Sequence, residues 1–407
     1  MKPVNLWPRL GFAALFAMGT PSGAFAAEAK YSTGASDKEI KVGHTTAYSG
    51  PVSAFGAGGR TLVAYFKMIN EQGGVNGRKI RFISYDDAYN PAKTVEQTRK
   101  LVESDGVLAV FSSIGTGPSL AVRKYMNSKQ VPQLLVASGG TMWGDYKNYP
   151  WSIGHQVNYG AEGRVFGRYL REQQAGKRIG VLYQNDDLGK ELLKGLKEGL
   201  GDKQSQIVAE VPYEVTEPTV DAQVLKLKSA GVDVFVNFTS PKAAAQAIRK
   251  IGEIGWKPVQ LVGKVSSSIG AVMKPAGFEN ANGIISVSFS KEYGDPQWKD
   301  DPGMKAYGAF MDKYLPDLDK NNSLAVYGYL ISENLVKLLK QCGDDLTRAN
   351  LMKQAANMKH MELSMLLPGI TINTSPTDFY PLEQLQLMRF HDGEWQRFGE
   401  VVEGAAQ

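Results

Sequence analysis

Residues Leu108 to Val122 read Leu-Ala-Val-Phe-Ser-Ser-Ile-Gly-Thr-Gly-Pro-Ser-Leu-Ala-Val, and the fold turns on how they are understood. The apolar run Val107 to Phe111 has the length and β-branched content of a buried strand. It stops in a Ser/Gly/Thr turn that leads to Pro118, a residue favoured in the first turn of a helix. The pattern is strand, small-residue elbow, helix start. Such an elbow lets a ligand approach the backbone, and the first N–H groups of the helix carry partial positive charge without internal partners. It can hold an anion without a formal charge, and equally it can do no more than connect strand to helix.

Working outward, Ile40 to Thr46 reads as a first strand that ends in Ala47-Tyr48-Ser49-Gly50-Pro51. Arg60 to Gln72 follows with Leu62, Val63, Phe66 and Ile69 on one helical face and stops at Gly73-Gly74. Ile80 to Tyr85 is a second strand closed by Asp86-Asp87, and Asn90-Pro91 starts a helix over Ala92 to Ser104. After the central elbow and its helix to Met126, Gln133 to Val136 forms a fourth strand that delivers Ala137-Ser138-Gly139-Gly140-Thr141. Strands alternating with helices in this way predict a parallel sheet covered on both faces, with ligands at the carboxyl ends of its strands.

From Tyr149-Pro150-Trp151 the pattern restarts. Helices over Ala161 to Gln173, Gly189 to Leu200, Val224 to Ser229 and Ala243 to Ile254 alternate with strands over Ile179 to Tyr183, Ile207 to Tyr213, Val232 to Phe238 and Gln260 to Val262. This predicts a second α/β domain of similar design. Ile284 to Phe289 reads as a crossing strand, and Met304 to Leu315, Leu324 to Cys342 and Leu346 to Met358 as helices, the last with Thr347 as cap. Leu385 to Phe390 and Trp395 to Phe398 flank His391-Asp392-Gly393-Glu394, an Asp-Gly hairpin signal. No low-complexity linker separates the halves, so short crossings that can hinge must join them.

Length and composition agree with two soluble domains: 407 residues, 43% hydrophobic and 21% charged. Lys2 and Arg9 begin a basic start, Leu10 to Gly19 an apolar core, and Ala24-Phe25-Ala26 a small-x-small cleavage signature, together a secretory signal peptide over residues 1–26. The apolar run is well short of the roughly twenty residues that a membrane anchor needs. Without Lys2 and Arg9 the excess of the 46 basic over the 41 acidic residues falls to +3, too small to argue for nucleic acid or an anionic membrane. Cys342 is the only cysteine, so no intrachain disulfide forms, and its place late in an apolar-periodic run predicts a buried, inert thiol.

Catalytic signatures are scarce. His44, His155, His360 and His391 are scattered, with no metal-binding spacing among them. Gly115-Thr-Gly-Pro-Ser-Leu120 begins like a dinucleotide fingerprint but has Leu120 where the third glycine is needed. The Gly-Lys pairs at Gly176, Gly189 and Gly263 are never followed by Ser or Thr, which argues against a phosphate-binding loop. Asp317-Leu-Asp-Lys-Asn-Asn322 starts like a calcium loop, yet its sixth residue is Asn322 and its twelfth Gly328. Asp86-Asp87 and Asp186-Asp187 each follow a strand and are expected to cap or brace loops, with Asp87 and Asp186 as rim contacts. No cofactor and no metal is expected.

The small-residue elbows say more together than apart. Tyr48-Ser49-Gly50, Gly115-Thr116 and Ser138-Gly139-Gly140-Thr141 fall at one edge of the first sheet and make a neutral, donor-rich cup that Tyr48, Tyr89 and Trp143 can wall.

In Ile40-Lys-Val-Gly-His-Thr-Thr, Tyr48-Ser-Gly-Pro51, Gly73-Gly-Val-Asn-Gly-Arg78, Tyr85-Asp-Asp87 and Val181-Leu-Tyr-Gln-Asn-Asp-Asp-Leu-Gly189, in this order, the chain resembles the periplasmic solute-binding proteins of the leucine/isoleucine/valine type that serve ABC transporters. The resemblance implies a type I periplasmic binding protein fold, two doubly wound α/β lobes joined by three hinge crossings, with the ligand clamped between them. It places lobe 1 at 27–155 and 286–367 and lobe 2 at 156–285 and 368–407. It puts the carboxylate grip at Gly115, Thr116, Ala137, Ser138 and Thr141, and second-lobe contacts near Asn185, Thr239, Val265 and Ser266. Tyr48, Trp143 and Phe289 are candidates for stacking, and Tyr159 and His155 for a polar substituent or for hinge packing.

Two departures from the family pattern bear on the ligand. Gly115 stands where amino-acid binders often have a hydroxyl, and Gly263-Lys-Val-Ser-Ser-Ser268 stands where they place an acid for the ligand ammonium. A buried ammonium without that acid forgoes a bond that contributes about 1.5 to 3 kcal/mol and still bears its desolvation cost. The expected ligand is therefore a small carboxylate with an apolar or aromatic body, in preference to an α-amino acid. The expectation is a monomeric, non-enzymatic binding protein of the periplasm that delivers its ligand to a membrane-embedded ABC permease. Alternatives are a ligand-sensing receptor component with the same clamp, or a doubly wound small-molecule enzyme, which would need a titratable pair converging on the cleft.

Overall fold

The computed structural model describes residues 1, 3 and 30–404, so the expected cleavage site after Ala26 and nearly all of the expected leader lie outside the described residues. A short strand β1 (Lys30–Tyr31) leads to β2 (Glu39–Thr46), α1 (Gly56–Glu71), β3 (Lys79–Asp86), α2 (Pro91–Arg99), β4 (Ala109–Phe111), α3 (Thr116–Ser128), β5 (Gln133–Val136) and β6 (Ser152–Gly154). There follow α4 (Tyr159–Gln173), β7 (Ile179–Gln184), α5 (Asp187–Leu200), β8 (Ile207–Tyr213), α6 (Asp221–Ser229), β9 (Val234–Phe238), α7 (Pro241–Glu253) and β10 (Val259–Val262). Short helices α8 (Lys274–Ala276) and α9 (Phe278–Ala281) precede β11 (Ile285–Ser288). The chain closes with α10 (Pro302–Tyr314), α11 (Ser323–Cys342), β12 (Asp345–Leu346), α12 (Arg348–Ala355), β13 (Gln384–His391) and β14 (Glu394–Glu403).

These strands make two principal sheets. The first is parallel, in the order β3-β2-β4-β5-β6, and the second runs β14-β13-β11-β10-β9-β7-β8. Only β13 and β14 of the second sheet are antiparallel, as the hairpin turn at Asp392 and Gly393 requires, both at positive φ. The chain passes between the sheets three times, after β6, after β11 and before β13. The second and third passages are laced together, with the Lys291 N–H donating to the Met365 carbonyl at 2.8 Å and the Leu367 N–H to that of Phe289 at 3.0 Å. This is the two-lobe α/β architecture expected of the sequence.

The order of elements follows from local chemistry. The Asn90 side chain accepts from the Ala92 and Lys93 N–H groups with Pro91 in the first turn, and Thr347 accepts from Asn350 at 3.2 Å, so both helix starts carry caps. Phe66, Phe111, Phe166, Phe235 and Phe238 are wholly buried under the helices, each contributing about 1.5 to 3 kcal/mol through burial. Helices α4 and α5 approach at backbone distance because glycines face each other. A Cβ on Gly163 would lie 2.3 Å from the Leu192 carbonyl oxygen, and one on Gly195 would lie 2.3 Å from that of Gly160. Cys342 is buried in α11, and burial pushes its thiol up to about 12. In the Asp317 loop, Asp317 pairs with Arg60 and Asn322 caps α11.

Candidate ligand-binding cleft

Asp86 and Asp87, at the end of β3, are bracing groups. Burial works against ionisation of Asp86, but the Ser49 hydroxyl and the N–H groups of Ala88, Ser49 and Tyr48 outweigh it and hold the carboxyl below its usual range. Asp87 accepts from the Tyr89 N–H and the Thr94 hydroxyl, both at 2.9 Å. Immediately after these two carboxylates the chain is turned so tightly that Ala88 and Tyr89 both adopt positive φ, 51° and 60°. For a bulky residue this is strained backbone, of the kind that clusters at functional sites. The strain aims the Tyr89 ring at the central elbow.

There it meets Gly115, at φ 100°. A Cβ at 115 would lie 2.4 Å from the Tyr89 ring, so the missing side chain is the space the ring occupies. Helix α3 begins immediately afterwards without a side-chain cap, which leaves its first N–H groups free of that kind of partner. Tyr89 also stacks on Phe55, ring centroids 5.9 Å apart, and burial raises its hydroxyl well above the ordinary range, so it stays a protonated donor.

These rings form one wall of a cavity with about 700 Å³ of empty space, its open mouth included. Gly115, Ala137, Tyr159, Val265 and Phe289, all candidates from the sequence, line it. So do Phe55, Tyr89, Ile114, Gln156, Leu188 and Lys264, and, at the N-terminus of α11 and the segment after β11, Ser290, Ser323, Leu324 and Tyr327. The cavity thus lies between the strand ends of the first sheet and the loops of the second.

The other candidates stand behind or beside it. Tyr48 turns its hydroxyl to Ser84 at 2.7 Å, against Gly59 of α1. Thr116 and Ser138 pair their hydroxyls at 2.7 Å, and Thr116 also donates to the Tyr159 hydroxyl at 3.4 Å. They position Tyr159, whose hydroxyl is pushed up to about 12 by burial. Trp143 is buried beneath Gly154 with the Arg123 guanidinium 5.3 Å from its ring. Asn185 donates to Glu214 at 2.6 Å, Thr239 to Asn237 at 2.6 Å, and Ser266 to the Thr239 carbonyl at 2.5 Å. His155 is buried against Tyr327, centroids 5.6 Å apart, and burial holds it down to about 3, so its imidazole is neutral. Asp186 caps α5 by accepting from the Gly189 N–H.

Thr141, not itself a lining residue, ties the two halves together. Glu191 of α5 accepts from its N–H and from its hydroxyl, both at 2.8 Å, while the Tyr380 hydroxyl donates to its carbonyl at 2.6 Å. On the other flank, Ser268 accepts from the Ser323 N–H at 3.1 Å, and the Gly270 N–H donates to the Asn321 carbonyl at 3.0 Å.

One charged pair includes a residue of the wall, Lys264. The Lys264 ammonium is 2.8 Å from Glu292 and 5.7 Å from the centre of the Phe289 ring, and its backbone N–H donates to the Glu162 carboxyl at 2.7 Å. Burial raises Glu162 to about 7 against the opposing effect of that bond and of the Lys264 charge. Among the described residues, no acidic side chain lines the cavity and no group of three or more His, Cys, Asp or Glu is placed to hold a metal ion.

Two α/β bodies with a mostly apolar cavity at their facing strand ends define a clamp-type ligand-binding protein. The chain belongs to the periplasmic binding protein family, whose sequence profile it matches over residues 39–394. It is similar to Leu/Ile/Val-binding protein homolog 7 of Brucella abortus (strain 2308), 22% identical over 264 residues that span 63% of this chain and 65% of that one. It is also similar to the Leu/Ile/Val-binding protein of Escherichia coli (strain K12), 26% identical over 63% of this chain and 69% of that one. The match thus spans about 65% of the length of the Brucella relative. Among solved structures, a branched-chain amino acid ABC transporter protein from Thermus thermophilus with bound valine superposes with a TM-score of 0.81 at 17% identity, over 90% of this chain and 97% of that one. A fatty acid ABC transporter substrate-binding protein from Thermomonospora curvata does so with a TM-score of 0.76 at 22% identity, over 92% and 95%. At these identities the structures share the fold.

Proposed function

We propose that the protein is exported to the periplasm, captures a small carboxylate with an apolar or aromatic body in this cleft, and delivers it as a monomer to an ABC permease. The observation that carries the reading is the make-up of the cavity wall: aromatic rings from both halves, the uncapped start of α3, a lysine ammonium, and no acidic side chain among the lining residues. A ligand ammonium there would be desolvated beside a like charge, whereas a carboxylate finds donors. The lobes are taken as 27–155 with 286–367 and 156–285 with 368–407, except that β11 (Ile285–Ser288) pairs within the second sheet, which moves the second crossing to just after Ser288. Residues on both sheets' loops touch one ligand only when the cleft is closed, so binding draws the hinge equilibrium toward closure. Gly115, Ala137, Tyr159, Val265 and Phe289 make the direct contacts on this reading, and Thr116, Ser138 and Thr141 hold the elbows that present them.

A thermal-shift panel of aliphatic acids, aromatic acids and branched-chain amino acids on ligand-free protein tests it. An acid present at one hundred times its dissociation constant should add about 2.7 kcal/mol of stability. Stabilisation by leucine with none from any simple carboxylate would refute the ligand class.

A further inference from the structure

The Lys264–Glu292 pair is the one ion pair among the described residues in which both side chains are under 15% exposed, at 13% and 7%. A buried pair of this kind seldom stabilises a fold better than apolar side chains of similar volume would, because both charges lose their water. Its position is informative. Lys264 lines the cavity together with Phe289 and Ser290, whereas Glu292 is not among the lining residues and accepts from the ammonium at 2.8 Å. Glu292 takes one of the three ammonium protons. The backbone of Lys264 is pinned separately, its N–H donating to the buried Glu162, so the side chain leaves the wall at a fixed point.

We propose that Lys264 is the specificity-determining counter-ion for the ligand carboxylate and that Glu292 is its built-in competitor. This rests on the carboxylate reading above. In the ligand-free cleft Glu292 neutralises a cation that would otherwise be buried alone. When the ligand arrives, its carboxylate shares the ammonium from the cavity side, while the uncapped start of α3 at Gly115 faces the same cavity from the other sheet. The charge that selects the ligand is thereby also a link between the two halves. An α-amino group is turned away by the same ammonium, and an uncharged isostere gains nothing from it.

The two partners predict opposite effects, which a merely structural ion pair would not give. With octanoate, phenylacetate and phenylacetamide as probes in titration calorimetry on the full mature chain, Glu292→Gln should bind the better of the two acids several-fold more tightly, with phenylacetamide unchanged. The double variant Lys264→Met/Glu292→Met removes both charges, leaves no buried charge unpaired, and should bind that acid at least tenfold more weakly. A folded Glu292→Gln variant that binds the acid no better than wild type, or a folded double variant that binds it as well as wild type, overturns the role given to Lys264. Wild-type protein that binds neither acid overturns the carboxylate reading beneath it, a separate result.

Discussion

A side chain at position 115 would occupy the space that Tyr89 fills. That one relation explains why a glycine ends the central elbow and why Tyr89, well upstream in the chain, accepts a left-handed backbone: each makes room for the other. Glu162 shows the same economy in charge. It is buried beside the Lys264 N–H, and burial raises it to about 7, above its ordinary 4.5. Between those values the folded chain holds a proton that the unfolded chain has lost. The stabilisation from protonated Glu162 is therefore complete below about pH 4.5 and fades as pH rises through 7. Urea unfolding of wild type and of Glu162→Gln from pH 4.5 to 7.5 should show wild type losing about 3 kcal/mol relative to the variant over that interval. Parallel curves would mean that Glu162 titrates normally. At this scale the sequence was only partly legible. Gly115 and Ala137 could be placed from strand-elbow patterns, and they line the cavity. The elbow hydroxyls of Thr116 and Ser138 looked equally available, yet short hydroxyl side chains on neighbouring turns satisfy each other and sit behind Tyr159. Phe55, Leu188 and Tyr327 reach the cavity from three separate helix starts or turns, and nothing local distinguishes them from core residues.

Among elements, α5 and the turn after β5 form a clasp between the two halves. Glu191 accepts two hydrogen bonds from Thr141, and burial raises its carboxyl although both bonds act to lower it. Replacing one acceptor oxygen with a donor should cost a charged-group hydrogen bond, about 1.5 to 3 kcal/mol in the closed form, since the open form does not make it. Glu191→Gln is thus expected to speed release of bound acid by about tenfold or more in stopped-flow measurements, with little change in association. An unchanged release rate would show that the clasp does not hold the closed state. Element types were the most legible part of the chain. Apolar periodicity located α1, α4, α5, α7, α10 and α11, and the Asn90-Pro91, Thr347 and Asp392-Gly393 signals fixed helix starts and the hairpin turn. Strand β6 escaped notice because it is three residues long and ends in a glycine, which lies against Trp143. Helix α2 ends at Arg99, short of the expected Ser104, where the backbone widens into a π turn over Lys100–Ser104.

For the whole molecule, the repeat of strand and helix after Trp151 was enough to predict two sheets, and the absence of a linker was enough to predict crossings. The pairing of the second crossing with the third could not be foreseen, because Lys291 and Met365 are far apart in sequence and meet only through the fold. That pairing laces two of the crossings together beside the single passage after β6, and Lys264 and Gly115 line one cavity from the two sides. The central claim is that this cavity takes a carboxylate with an apolar body. Titration calorimetry of the strongest acid from the panel, alongside leucine and the corresponding amide, tests it most directly. The account predicts one acid per chain with a negative heat-capacity change, and at least tenfold weaker binding of both the amide and leucine. Leucine binding at one per chain more tightly than any acid would contradict it.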